Sequence, residues 1–220
     1  MRKIHRPPLR FDRVVVDWRT VGLFQTNSFL VICENTREAA IVDSCGEFDV
    51  LQAMIAAHEG INVRYLLQTH AHLDHVAALA EMKDWSQAPI VLHPEEVPLY
   101  EAVPMQCRLF GLPEIPSPPA PDRWVREGDT LPLGDLTIQV IETPGHTPGG
   151  VSFEIAGHLF VGDTLFQGSI GRSDLPGGNS ATLMRSLHRL ITWPEQTLVF
   201  SGHGPVTTIG RERDHNPFLS

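Results

Sequence analysis

Apolar residues fall into short runs separated by turn residues, and the period of each run predicts its element. RVVVDW (13–18) and NSFLVIC (27–33) are short, β-branched and aromatic-rich, which predicts strands, and EAAIVD (38–43) predicts a third, ending in Asp43. Phe48, Leu51, Ile55 and Ala56 recur at helical spacing and end at Gly60, which predicts a helix over 47–59. VRYLLQ (63–68) predicts another strand, followed at once by the histidine-rich THAHLDH. Helix formers over 75–85 predict a helix, PIVLH (89–93) a short strand, and 94–110 a helical stretch closed by Gly111. The second half predicts strands at 123–125, 129–132, 136–143, 151–156 and 158–163, a helix at about 181–191 and a last strand at 197–201. Strands interleaved with helices predict a layered α/β fold rather than an all-β sandwich. The five prolines Pro113, Pro116, Pro118, Pro119 and Pro121 make 111–121 a loop or a stiff linker.

Composition narrows the class. The chain has 220 residues, enough for one large domain or two small ones, with 42% hydrophobic and 20% charged residues, close to globular norms. Its formal charge of −9 argues against a nucleic-acid binder that relies on a basic surface. No run approaches the ~18 consecutive apolar residues of a membrane span. The basic start MRKIHRPPLRFDR has no apolar stretch behind it, so no secretory signal is expected. Cys33, Cys45 and Cys107 are far apart and form no CxxC pair; they read as small buried hydrophobes in a reducing, cytoplasmic setting. Phosphate-binding, dinucleotide-binding, nucleophile-elbow and HExxH motifs are all missing; His58-Glu59 lacks the second histidine.

The eleven histidines change the picture. In 70–75, four potential metal ligands (His70, His72, Asp74, His75) occupy six positions. His70 and His72 are two apart and share a face of extended chain; Asp74 and His75 follow where the chain must turn into a helix. Imidazole and carboxylate suit zinc and its transition-metal neighbours. Four ligands crowded this closely suit two ions better than one tetrahedral ion. His146, Asp163 and His203 each follow a predicted strand, where sheet proteins place functional groups. His5, His58, His93, His158, His188 and His215 are read as ordinary.

THAHLDH followed by His146, Asp163 and His203 resembles the metal-ligand series of the metallo-β-lactamase superfamily. Within it, GDTLFQGSIGRSDL (162–175) is similar to the glyoxalase II group of hydroxyacylglutathione hydrolases. The tail GHGPVTT (202–208), with Glu212-Arg213 and Asn216-Pro217, resembles that group's short, single-domain bacterial branch. The resemblance runs from about Gln25 to the end and implies a four-layer αββα sandwich of two mixed β-sheets flanked by helices. It implies a single domain over 1–220, with 111–121 a loop inside it and no C-terminal helical glutathione-binding region. It carries His70, His72 and His146 to one metal and Asp74, His75 and His203 to a second, with Asp163 bridging. Asp43 supports the ligands without being one, and Asp74 also orients the attacking hydroxide.

The implied reaction is hydrolysis of an S-2-hydroxyacylglutathione, such as S-D-lactoylglutathione, in methylglyoxal detoxification. Two divalent ions, zinc foremost with iron or manganese as alternatives, would supply a bridging hydroxide near neutral pH. Arg172 is the candidate grip on a substrate carboxylate, against a salt bridge with Asp174. The expected partner is a small glutathione thioester or related thiol conjugate, with no nucleic acid and no membrane, bound by a monomer or small homo-oligomer. The rival is a related family, the mononuclear-iron persulfide dioxygenases, which keeps most of the same ligands; Asn27 in QTNSF and the GHGPVTT tail favour the hydrolase. Another hydrolase of the superfamily or a non-catalytic metal-binding domain are further alternatives.

Overall fold

The computed structural model describes residues 7–219, so His5 lies outside the described residues. Seven strands form the first sheet in sequence order: β1 (Leu9–Arg10), β2 (Val14–Val21), β3 (Thr26–Cys33), β4 (Glu38–Val42), β5 (Asn62–Leu67), β6 (Ile90–Leu92) and β7 (Arg123–Trp124). β1 to β4 pair antiparallel, and β4 to β7 parallel. The second sheet holds β8 (Thr130–Leu133), β9 (Leu136–Glu142), β10 (Val151–Ile155) and β11 (His158–Gly162). A two-stranded ribbon, β12 (Leu165–Phe166) with β13 (Ser169–Ile170), leads on to β14 (Leu198–Ser201) and β15 (Thr207–Thr208). The spatial order is β15-β14-β11-β10-β9-β8, with only the β11–β14 pair parallel. Both sheets are thus mixed.

The helices are α1 (Phe48–Ala56), α2 (Leu73–Val76), α3 (Leu79–Ser86), α4 (Val97–Glu101), α5 (Val103–Leu109), α6 (Ser180–Leu190) and α7 (Ile209–His215). Side chains alternate across each strand, and this sorts the core into three layers. Val14, Val16, Phe29 and Val31 face Ile138, Phe153, Phe160 and Phe200 between the sheets. Their neighbours Val15, Leu30 and Ile32 point outward onto Leu51 and Met54 of α1 and Leu79 and Met82 of α3. On the opposite flank, Leu159, Val161 and Val199 meet Leu183, Leu187 and Leu190 of α6. The result is the four-layer αββα sandwich. Apolar residues on both faces explain why β3 shows no polar alternation: all eight of its residues are buried. No helix among the described residues is long and apolar enough to cross a membrane.

Two expectations need correction. The helix expected over 75–85 is two, α2 and α3. The Ala78 N–H is given to the Ser44 carbonyl at 2.9 Å instead of continuing the ladder of α2. The stretch 94–110 is a 3-10 turn (Pro94–Glu96), then α4 and α5, because Pro98 and Pro104 lack the N–H that a helix interior needs and so sit in first turns. The elements β1, β12, β13, β15 and α7 carry no expectation from the sequence. α7 pins the ribbon that follows Asp163. Its Glu212 carboxylate, 1% exposed, accepts from the Gly168 N–H, and Asn216 Nδ2, just past its end, donates to the Ser169 carbonyl.

Candidate metal centre

The ligand candidates lie just beyond strand ends. His70, His72, Asp74 and His75 follow β5, His146 follows β9, Asp163 follows β11 and His203 follows β14. Parallel register sets Gly162 beside Ser201, and the Gly202 N–H donates to the Gly162 carbonyl at 2.8 Å, so Asp163 and His203 emerge together. Two further bonds tie the sheets at this edge: Asn27 N–H to the Gly202 carbonyl at 2.7 Å, and Val151 N–H to the Thr69 carbonyl at 2.9 Å.

The seven side chains converge. His70, His72 and His146 offer nitrogens within 4.8 Å of one another, and so, separately, do the ligand atoms of Asp74, His75 and His203. Asp163 stands between the groups: Oδ2 is 3.6 Å from His146 Nε2 and 3.4 Å from His203 Nε2, and Oδ1 is 3.3 Å from His75 Nε2. His203 Nε2 lies 3.3 Å from Asp74 Oδ2. Buried polar atoms are almost always partnered, yet His70 Nε2, His75 Nε2 and Asp163 Oδ1 are buried here without a hydrogen bond. Converging orphaned nitrogens and a carboxylate oxygen are a donor set that fits divalent transition metals.

Electrostatics divides the cluster. Burial pushes the His70 imidazole well below its ordinary range, and the facing histidines push it further. Burial, with His146 beside it, lowers His72 to about 3, and burial lowers His146 too. These three are neutral at pH 7, the state in which imidazole ligates. Burial opposes protonation of His203, but hydrogen bonds to Asp163 and Asp74 prevail and raise it to about 10. His75 is likewise held well above its ordinary value, against burial, by Asp74, Asp163 and Asp43. Burial would raise Asp74, yet the His75 charge and the His203 hydrogen bond bring it down to about 2. In this protein-only cluster, protons on His75 and His203 neutralise the carboxylates, as cations would.

The supports are specific. Asp43, in the left-handed region at φ 60°, accepts the Thr69 N–H on Oδ1 at 2.7 Å and both Thr69 Oγ1 and His75 Nδ1 on Oδ2 at 2.8 and 2.9 Å. That bond leaves His75 Nε2 facing the centre. His146 Nδ1 pairs with the Arg172 carbonyl at 2.7 Å, and Thr26 Oγ1 donates to Asp74 Oδ2 at 2.8 Å. The Arg172 guanidinium is engaged elsewhere, in a two-pronged exposed pair with Asp174 at 2.7 and 2.8 Å. Its main chain, not its charge, touches the cluster.

Sequence reasoning missed Glu96 and Gln106. Glu96 is 0% exposed; Oε2 accepts the Ala71 N–H at 2.7 Å and Oε1 the Gly149 N–H at 2.8 Å, joining the loop of His70 and His72 to that of His146. Gln106 Oε1 accepts the Leu73 N–H at 2.9 Å, and its Nε2 donates to the Ala71 carbonyl at 3.0 Å. Glu96 follows a strand and a proline, a faint signal; Gln106 carries none. Three other histidines make contacts away from the centre: His58 pairs with Asp17 at 2.9 Å, His93 with Glu142 at 3.0 Å, and His158 packs against Phe11.

The chain is similar in sequence and fold to known proteins. The profile of the Metallo-beta-lactamase superfamily matches residues 21–203. The chain is 39% identical over 209 residues to the probable metallo-hydrolase YqgX of Bacillus subtilis, covering 92% of this chain and 97% of that protein. It is 39% identical over 208 residues to the hydroxyacylglutathione hydrolase GloC of Haemophilus influenzae, covering 91% and 95%. Among solved structures, TTHA1623 in a di-iron-bound form superposes with a TM-score of 0.83 at 42% identity, covering 91% of this chain and 98% of that one.

Proposed function

Since the chain belongs to the metallo-β-lactamase superfamily, we propose that it is a metal-dependent thioester hydrolase that cleaves S-2-hydroxyacylglutathiones, S-D-lactoylglutathione among them. His70, His72 and His146 would hold one ion and Asp74, His75 and His203 a second, with Asp163 between them. Bound there, two divalent ions supply Lewis acidity and a water-derived nucleophile at neutral pH. The observation that carries the reading is the completeness of both ligand groups around one shared carboxylate. A single-iron dioxygenase keeps most of the same residues, so the number of ions per chain and the reaction itself separate the two readings.

The chain's own residues then have definite parts. Asp74 is ionised at neutral pH and steadied by Thr26 Oγ1, so it can accept a hydrogen bond from the attacking water and orient it. Asp43 and the Arg172 carbonyl fix the ring orientations of His75 and His146. In the reaction a C–O bond forms at the acyl carbon and the C–S bond breaks, giving a 2-hydroxy carboxylate, the thiol and one proton. A thiolate leaves without strong acid assistance, which suits a site whose histidines are committed to metal. Similarity to GloC supports the glutathione thiol half, and three free buried cysteines suit a reducing cytoplasm.

The test couples metal analysis to two assays of one sample: loss of S-D-lactoylglutathione, and oxygen uptake with glutathione persulfide. Two ions per chain with thioester loss and no oxygen uptake is the expected result. One iron per chain with oxygen uptake would replace the reading by the dioxygenase. Two ions with no turnover of any thioester would leave a metal-binding domain.

A further inference from the structure

His72 forms one end of a cavity of about 370 Å³ beside the metal centre. Pro98, in the first turn of α4, is part of its wall. On α4 and α5, Tyr100, Val103 and Cys107 pack inward while Leu99, Met105 and Leu109 line the cavity. Met105 and Leu109 are 60% and 70% exposed, unusual for large apolar side chains on neighbouring turns. Phe110 extends the wall, its ring packed edge-on against Phe24 at 5.5 Å. The opposite lip is Pro148, from the loop of His146, with Leu175 and Pro176 just beyond Arg172. Gln106 lines the cavity too, and its bonds to Ala71 and Leu73 hold this wall in register with His72.

Among the described residues the lining has no lysine or arginine, and its one carboxylate is Glu95. A glutathione thioester has two unlike halves: a peptide with two carboxylates, and an acyl group. Desolvating a carboxylate against apolar walls and another acid is costly, so the peptide half does not belong here. The acyl half does. An apolar cavity of ~150 Å³ is enough to take up a benzene ring, so this one has room for an aryl group. The methyl of a lactoyl group leaves nearly all of that space unfilled, whereas a phenyl ring takes up about half.

We propose that this cavity is the acyl pocket, and that the chain selects 2-hydroxyacyl thioesters whose acyl side chain is bulky and apolar, an aryl group above all. The proposal rests on the hydrolase reading and adds the substrate's acyl class to it. Filling an apolar pocket with a ring instead of a methyl is worth at least tenfold in specificity. The experiment compares kcat/KM for S-D-mandeloylglutathione and S-D-lactoylglutathione in the metal-loaded protein, in wild type, Ala102→Trp and Leu109→Gln. Wild type should favour the mandeloyl thioester tenfold or more. Ala102→Trp, which fills the cavity, and Leu109→Gln, at an exposed position that tolerates exchange, should each shrink that ratio severalfold. Turnover of both thioesters with no aryl preference overturns the inference and leaves the hydrolase reading standing. A dimer that buries Met105 and Leu109 without an aryl preference overturns it as well. Failure to hydrolyse either thioester with two ions bound overturns the hydrolase reading instead. The pocket is then still read by binding: S-benzylglutathione must bind at least tenfold more tightly than S-methylglutathione, and equal binding overturns the inference.

Discussion

Glu96 shows how much of the centre depends on a residue that offers no metal ligand. It is fully buried, and burial raises its pKa, while each carboxylate oxygen accepts an N–H from a different ligand loop. Glu96→Gln keeps the volume but turns one acceptor into an NH2 that faces an N–H donor. An orphaned buried donor costs about 1–3 kcal/mol, or roughly 2–10 °C of Tm in a chain of this size. Outer supports of metal ligands typically contribute 10–100-fold in affinity. The variant should therefore stay folded, melt several degrees lower and bind zinc at least about tenfold more weakly in a chelator competition. Unchanged zinc affinity beside a lowered Tm would reduce Glu96 to a packing role. The sequence announces the histidines because imidazoles at 70, 72 and 75 are chemically conspicuous. It hides Glu96 and Gln106 because their value lies in backbone groups 25 and 33 residues away along the chain.

Strands were legible for the same kind of reason. β3 and β4 are buried on both faces, and β2, β5 and β9 to β11 are rich in branched and aromatic apolar residues, so each stands out as a run and most strands of both sheets were legible except at the rims. The two-residue strands β1, β12, β13 and β15 have no periodicity to detect, and the break between α2 and α3 depends on a carbonyl, that of Ser44, remote in sequence. The crossing of the β11 and β14 exits is also invisible in the sequence, and it is tight. A Cβ at Gly202 would lie 2.6 Å from His75 Cε1 and would overlap Asp163 Oδ1. The φ of Gly202 is not in the left-handed region, so alanine there is a purely steric insertion between two ligand side chains. Gly202→Ala should keep the wild-type circular dichroism spectrum while losing about 10–100-fold in metal affinity, the loss typical when the surroundings that orient metal ligands are disturbed. Wild-type stoichiometry and affinity in that variant would mean that β14 can shift away without disturbing the centre.

At the scale of the whole molecule, the candidate ligands come from both halves of the sandwich. His70, His72, Asp74 and His75 extend from the first sheet, and His146, Asp163 and His203 from the second. Any ion held between them cross-links the two sheets, and a ligand that binds only the folded state adds RT ln(1 + [L]/Kd) to stability. The direction with pH follows from the shifts. His203 is raised to about 10, so its pairing with Asp74 and Asp163 stabilises the metal-free fold fully below pH ~6.5 and is lost as pH climbs toward 10. Asp74 is lowered to about 2, so its share is present above pH ~3.8 and is lost only as pH falls toward 2. A metal ion must displace the His203 proton, so its affinity rises about tenfold, ~1.4 kcal/mol, per pH unit below 10 for each proton expelled. Rising pH thus weakens the metal-free fold and strengthens the metal-bound one. The gap in Tm between metal-loaded and chelator-treated protein should widen by roughly 5 °C or more from pH 6 to pH 8. Addition of zinc to an unbuffered metal-free sample at pH 7 should release protons, which a pH-stat counts directly. A Tm gap that narrows with pH, or zinc binding without proton release, would show that His203 is not among the ligands and that the second group holds no ion.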